Sequence, residues 1–191
     1  MADRADEFDR YRRVGLRANP FAAYAGFGTN GFDNPHEPVT GDWFVDRGVA
    51  PPPPAGSAVV VQVIGDQGMG KSTHLAEWRR LQPGPFHYIP RRPVQDRRLP
   101  PPVADLVYGD EIDRMPRLLR ARWFRQLAAR QATVVVGTHR DLSDAARRAG
   151  FAEIRTHRLR PVSPAELALV LDRRLQAAAL VGAVVSVRFT D

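Results

Sequence analysis

Short β-branched apolar runs alternate with amphipathic stretches along most of this chain. Strands are expected at 58–64, 86–90, 104–109, 132–138 and 153–160, because each run is short, apolar and bounded by Gly, Pro or Asp. Helices are expected at 71–82, 114–130, 141–149 and 164–179, where apolar residues fall at helical spacing. The last helix carries the clearest start signal. Ser163 is its expected N-cap, Pro164 its first residue and Glu166 the partner of a capping box, followed by Leu167, Val170, Leu171 and Leu175 on one face. Strands alternating with helices predict an α/β fold with a parallel sheet covered on both faces.

Outside this rhythm the pattern breaks down. Residues 1–18 read as a short charged helix that Asn19-Pro20-Phe21 ends, and residues 22–40 read as loop. Trp43, Phe44 and Val45 make an apolar knot, and Pro51 to Pro54 a stiff spacer into the first strand. The interval 91–103 holds four prolines, too many for a crossover helix; it reads as a solvated loop, with a basic contact surface as the alternative.

The length of 191 residues suits one α/β domain with a short appendage, and the domain reading is 1–57 extension and linker, 58–162 core, and 163–191 the start of a helical lid. No cysteine is present, which excludes disulfides and thiolate chemistry. No apolar run approaches the roughly 20 residues of a membrane span, and the charged N-terminus has no signal-peptide core, so a soluble cytoplasmic protein is expected. The net charge of +7 raises nucleic acid as a partner. Lys and Arg total 28, yet Lys71 is the one lysine; the other 27 are arginines.

That lysine lies in the stretch with the most chemistry. Gly65-Asp66-Gln67-Gly68-Met69-Gly70-Lys71-Ser72 fits the G-x-x-x-x-G-K-[ST] pattern of a phosphate-cradling P-loop, and Thr73 continues it into a helix. The pattern needs glycines so that backbone N–H groups can line an anion site, a lysine for the β/γ-phosphates and a hydroxyl for Mg²⁺. A second motif, Leu106-Val107-Tyr108-Gly109-Asp110-Glu111, ends an apolar strand in two carboxylates. Asp110 is the expected Mg²⁺ residue and Glu111 the expected general base; the alternative is an acidic cap on the helix at 114. A third strand ends in Thr138, a candidate γ-phosphate sensor, with His139 as the alternative. Val136-Gly-Thr-His-Arg-Asp-Leu only loosely echoes a guanine-reading loop, and without its Asn and Lys it favours ATP over GTP. Arg148, and after it Arg147, is the candidate arginine finger, set against a plain C-terminal helix cation. His36, His74, His87 and His157 show no metal-ligand spacing.

Together these residues resemble the AAA-type ATPases of the additional-strand-glutamate class, in particular bacterial ATPases of the general-secretion and transposition-helper kind. Gly15-Leu-Arg-Ala-Asn-Pro-Phe21 looks like their opening, and Leu159-Arg-Pro-Val-Ser-Pro-Ala-Glu166 with Arg173-Arg174-Leu175 like their entry to the lid. The resemblance implies a P-loop NTPase three-layer α/β sandwich with an incomplete helical lid, binding ATP and Mg²⁺ and working as a switch or assembly motor. An arginine finger would require a homo-oligomer, and the incomplete lid with the basic charge raises a nucleic-acid or protein partner. Two departures are the helix-free crossover at 91–103 and an end at Phe189-Thr190-Asp191, which reads as a divergent short ATPase or a truncated reading frame. A nucleotide-gated module with little hydrolysis and a small-molecule phosphotransferase are the alternative functions.

Overall fold

The five expected strands form one parallel sheet. The computed structural model describes Val14, Leu16, residues 44–89 and residues 103–179. In chain order the elements are β1 (Val59–Ile64), α1 (Lys71–Leu81), β2 (Phe86–Tyr88), β3 (Leu106–Asp110), a 3₁₀ turn (Ile112–Arg114), α2 (Arg117–Ala128), β4 (Thr133–Thr138), α3 (Ser143–Ala149), β5 (Glu153–Arg158) and α4 (Pro164–Ala178). The readings of residues 1–43 apart from Val14 and Leu16 (the short helix at 1–18, the Gly15–Phe21 opening, the loop at 22–40 and Trp43 of the apolar knot), of 91–102 and of 180–191 fall outside the described residues.

The strand order is β2-β3-β4-β1-β5, so β4 lies between β1 and β3. Every pairing is parallel. Alternate residues of β1 face opposite ways, as a strand's period of two requires. Val59, Val61 and Val63 join Leu75 and Trp78 of α1 with Phe86, Leu106, Tyr108 and Val135. Val60 joins Trp123, Phe124 and Leu127 of α2, Ala146 of α3, and Val107, Val134, Val136 and Phe151. Apolar cores therefore cover both faces of the sheet, which is why β1, β3 and β4 are buried at every residue.

Two local expectations change. The helix expected from 114 begins at Arg117, because Pro116 takes the position before its first turn and residues 112–114 tighten into a 3₁₀ turn. Neither Asp110 nor Asp113 caps α2, whose N-cap is Pro116, so the acidic-cap reading fails. The Pro51–Pro54 segment is no free spacer. Pro52 is buried and its carbonyl accepts from Gln82 Nε2 at 3.1 Å, while the Pro54 carbonyl accepts from the buried Thr133 hydroxyl at 2.7 Å.

The described residues divide into two compact units: residues 48–89 with 103–161, which hold the sheet, and Val14, Leu16, residues 44–47 and residues 162–179. Within the smaller unit the expected capping box of α4 is present. Glu166 N–H donates to Ser163 Oγ at 3.2 Å, and Ser163 N–H donates to Glu166 Oε2 at 2.8 Å. The same carboxylate pairs with Arg47 at 3.5 Å, Arg173 donates to the Phe44 carbonyl, and Leu16 bridges Ala179 in antiparallel fashion.

Candidate functional site

Strand β1 delivers the chain to the C-terminal edge of the sheet, and the loop 65–70 turns it into α1. Gly68 and Gly70 hold φ near +85° and +87°, backbone that residues with a Cβ rarely adopt. No side chain caps α1 and no acidic residue stands in its first turn. Its first N–H groups therefore retain their affinity for an anion. Lys71 is buried, and its ammonium donates to the carbonyls of Gly65 at 2.8 Å and Asp66 at 3.1 Å. Among the described residues no carboxylate lies within ion-pair distance of it. The cation thus rests on the loop's own dipoles, which suits it to exchange them for an incoming phosphate.

The helix that begins with Lys71 also places Ser72 against β3. Ser72 Oγ donates to Asp110 Oδ2 at 2.5 Å, joining the two acidic and glycine-rich motifs across the sheet. Asp110 Oδ1 accepts the Glu111 N–H at 3.0 Å. The carboxyl is fully buried, and burial is the largest influence on it, pushing its pKa up. The Ser72 hydroxyl pulls the other way, the Glu111 carboxylate pushes up again, and the Lys71 ammonium pulls down. Room for it comes from Gly137, its register partner on β4, where a Cβ would strike Asp110 Oδ1.

Glu111 follows β3 with φ near +59°, left-handed backbone for a residue that is not glycine. This turn directs its carboxylate to Arg114 and His139. Glu111 Oε2 lies 2.9 Å from Arg114 Nη2 and 2.8 Å from His139 Nε2, yet neither contact has hydrogen-bond alignment. Asp113 fixes the other side of His139, accepting its backbone N–H at 3.3 Å, and the Asp113 carbonyl accepts from Arg120 at 3.1 Å. Thr138 is buried beside this group, but its hydroxyl donates to the Arg140 carbonyl at 2.8 Å and accepts the Arg140 N–H at 3.2 Å. Of the two candidate sensors, His139 is the one in contact with Glu111.

Gly65 through Thr73, Asp110, Glu111, Thr138 and His139 are thus gathered at one edge of the sheet. Arg147 and Arg148 are not among them. They lie exposed on α3, Arg147 paired with Asp144 at 3.5 Å and Arg148 Nε donating to the Asp144 carbonyl at 3.2 Å. The sequence reading also passed over Gln62, in the middle of β1. Its fully buried amide donates to Asp141 Oδ1 at 2.9 Å, Ser143 Oγ at 2.7 Å and Thr156 Oγ1 at 2.8 Å. Its oxygen accepts the Leu142 N–H at 2.9 Å. The signal was a lone amide in an otherwise apolar strand. Asp141 Oδ1 also accepts the Ser143 N–H at 2.8 Å, and hydrogen bonds from Ser143 first, then from Gln62, lower the Asp141 pKa to about 2.

Among the described residues no group of three or more His, Cys, Asp or Glu could hold a metal by itself. The oxygen pair of Ser72 and Asp110 fits a hard cation that draws its remaining ligands from phosphate and water, the usual arrangement for Mg²⁺. No helix among the described residues is long and apolar enough to cross a membrane. No protein-family model matches the chain, and no curated protein matches it.

Proposed function

We propose that this chain is an ATP-binding, Mg²⁺-dependent ATPase with a P-loop NTPase sandwich, of the additional-strand-glutamate class, acting as a conformational switch or assembly motor. The observation that carries the reading is the 2.5 Å bond between Ser72 Oγ and Asp110 Oδ2. It brings together the two residue types that hold a nucleotide's metal, one from each of two motifs separated in sequence. The placement of β4 between β1 and β3 supports the same reading, since it is the additional strand of that class. In this reading the loop 65–70, the first turn of α1 and Lys71 bind the phosphates, and Ser72 and Asp110 hold Mg²⁺. Bound there, Mg²⁺ would neutralise charge on the phosphates. Glu111 accepts the proton of the attacking water, and Thr138 or His139 reports on the γ-phosphate.

One observation favours a second reading, a nucleotide-gated module with little hydrolysis. The Glu111 carboxylate lies against Arg114 at 2.9 Å and His139 at 2.8 Å, which holds it away from a water at the phosphates. Two variants separate the readings. For an ATPase, Lys71→Ala loses binding of a fluorescent ATP analogue, while Glu111→Gln keeps it and loses at least ~100-fold in turnover. Wild-type turnover no higher than that of Lys71→Ala, with binding intact, would leave the gated module. Failure of wild type to bind ATP at all would remove both readings.

A further inference from the structure

The chain from Arg114 to Arg140 carries seven arginines (114, 117, 120, 122, 125, 130 and 140) and no acidic residue. Elsewhere in the described structure four exposed arginines stand beside a carboxylate: Arg80 with Glu77, Arg147 with Asp144, Arg155 with Glu153 and Arg158 with Asp141. On α2 and just past its end such pairs are missing among the described residues. Arg117, Arg122, Arg125 and Arg130 are exposed, and none has a carboxylate within ion-pair distance among the described residues. Leu118, Arg122 and Arg125 stand at i, i+4 and i+7 on the outward face, opposite the buried Trp123, Phe124 and Leu127. At one end burial lowers the pKa of Arg120, the Asp113 carboxylate opposes that, and Arg117 and Arg140 lower it further. Asp113 and Glu111 answer Arg120 and Arg114, but Arg117, Arg122, Arg125 and Arg130 have no such carboxylate; like charges so gathered repel one another, and a polyanion relieves that cost.

We propose that the outward face of α2 is a docking surface for the phosphate backbone of duplex nucleic acid. Three features select this occupant. A protein partner needs an apolar centre to its interface, and this face offers one exposed apolar side chain, Leu118. A single strand is held by bases stacked on exposed aromatic rings, and the two rings of α2, Trp123 and Phe124, are buried in the core. What remains is a helix about 18 Å long at 1.5 Å per residue, with Arg122 and Arg125 on its outward face and Arg117 and Arg130 near its two ends, a rigid spread of guanidinium forks that suits the dense charge of a duplex. Arginines set on a rigid helix contact phosphates without reading bases, so binding is independent of sequence. The surface stands apart from the nucleotide reading and does not depend on it.

The test is fluorescence anisotropy of the full chain, without nucleotide, on a labelled duplex of about 25 base pairs at several salt concentrations. About four phosphate contacts give a slope near −3.5 for log affinity against log salt. The double variant Arg122→Gln/Arg125→Gln flattens that slope by about two and weakens binding at least ~tenfold at low salt. Charge reversal in Arg122→Glu/Arg125→Glu weakens it further, and Arg155→Gln on β5 leaves it unchanged. Both α2 positions are exposed, so thermal melts of these variants match wild type. Wild-type binding by the Gln double variant would overturn the proposal. So would tighter binding to a single strand, or to polyglutamate of matched charge, than to the duplex.

Discussion

Gly137 on β4 and Asp110 on β3 are register partners, and the carboxylate oxygen Oδ1 of Asp110 occupies the space a side chain at Gly137 would need. Because Asp110 is fully buried, its carboxylate cannot swing into solvent to make way. Gly137→Ala therefore forces the carboxylate off Ser72 or pushes the two strands apart. We expect a loss of about 1–3 kcal/mol in stability from overpacking. Mg²⁺-dependent ATP affinity should fall at least ~tenfold, one pK-sized step of ~1.4 kcal/mol. Nucleotide affinity measured in EDTA should change much less, since Lys71 and the loop are untouched. Titration calorimetry with and without Mg²⁺ reads both; equal losses in the two conditions would count against a metal role for Asp110.

Asp110→Asn separates stability from function at the same place. Burial raises the folded-state pKa of Asp110 above its ordinary 3.8. A carboxyl shifted this way stabilises the fold fully below that ordinary value, and the contribution disappears as pH rises through the raised one. At neutral pH the ionised group is a liability that the neutral amide lacks. Asn keeps an oxygen for the Glu111 N–H and one polar atom for Ser72. The variant should melt at or above the wild-type temperature at pH 7, and the difference should shrink as pH falls through the raised value toward 3.8. It should nonetheless lose Mg²⁺-dependent binding. A marked drop in apo stability at pH 7 would show that Asp110 serves the fold rather than the site.

The sequence made the strands and most helices legible because the β-branched runs and helical spacings are local signals. Ser163, Pro164 and Glu166 announced α4 for the same reason, since a capping box is complete within four residues. The contents of the site's second half were less readable. Nothing near Glu111 in sequence shows that its backbone turns left-handed, nor that His139, 28 positions on, comes to its carboxylate. Thr138 drew attention as the last strand residue, but the reversal at Arg140 takes up its hydroxyl. Gln62 was hidden differently. One amide in an apolar strand looks tolerated, until a sheet and two loops bring Asp141, Ser143 and Thr156 around it from 79 to 94 positions away. Such long-range pairings leave no periodic trace.

That amide yields its own prediction. Gln62→Leu keeps the volume but leaves the Leu142 N–H without its acceptor and takes away the two amide hydrogens that the oxygens of Asp141, Ser143 and Thr156 share. Buried groups stranded in this way cost about 1–3 kcal/mol each where water cannot reach them. Asp141 and Ser143 are partly solvated, so the expected loss is about 2–4 kcal/mol by urea denaturation.

Acid unfolding tests the other end of the same network. Asp141 is depressed from 3.8 to about 2, first by its bonds from Ser143 and then by Gln62. A depressed carboxylate stabilises the fold above its unfolded value, and that contribution is lost as pH falls from about 4 toward 2. Asp141→Asn should be less stable than wild type at pH 7, and the gap should narrow through this window. Its exposure to solvent keeps the effect small. A gap that stays constant from pH 6 to pH 2, followed by thermal melts, would exclude the carboxylate's ionisation as the cause.

The contact between Glu111 and Arg114 decides how fast the proposed ATPase turns over. A general base must reach the water it activates, and the Glu111 carboxylate is held between a guanidinium and an imidazole. The pair is mostly shielded from water, at 21% and 11% side-chain exposure, so it is not erased by solvent. Since neither contact on Oε2 has hydrogen-bond alignment, charge holds the carboxylate there more than geometry does. Arg114→Met retains the stem and removes the charge. Releasing a pair worth about 1 kcal/mol should raise kcat roughly fivefold, with KM for ATP little changed. The gain should vanish in the Glu111→Gln background, because no base remains to be freed. If Arg114→Met instead slows turnover, Arg114 holds Glu111 in its working position, and the pair is a support rather than a restraint.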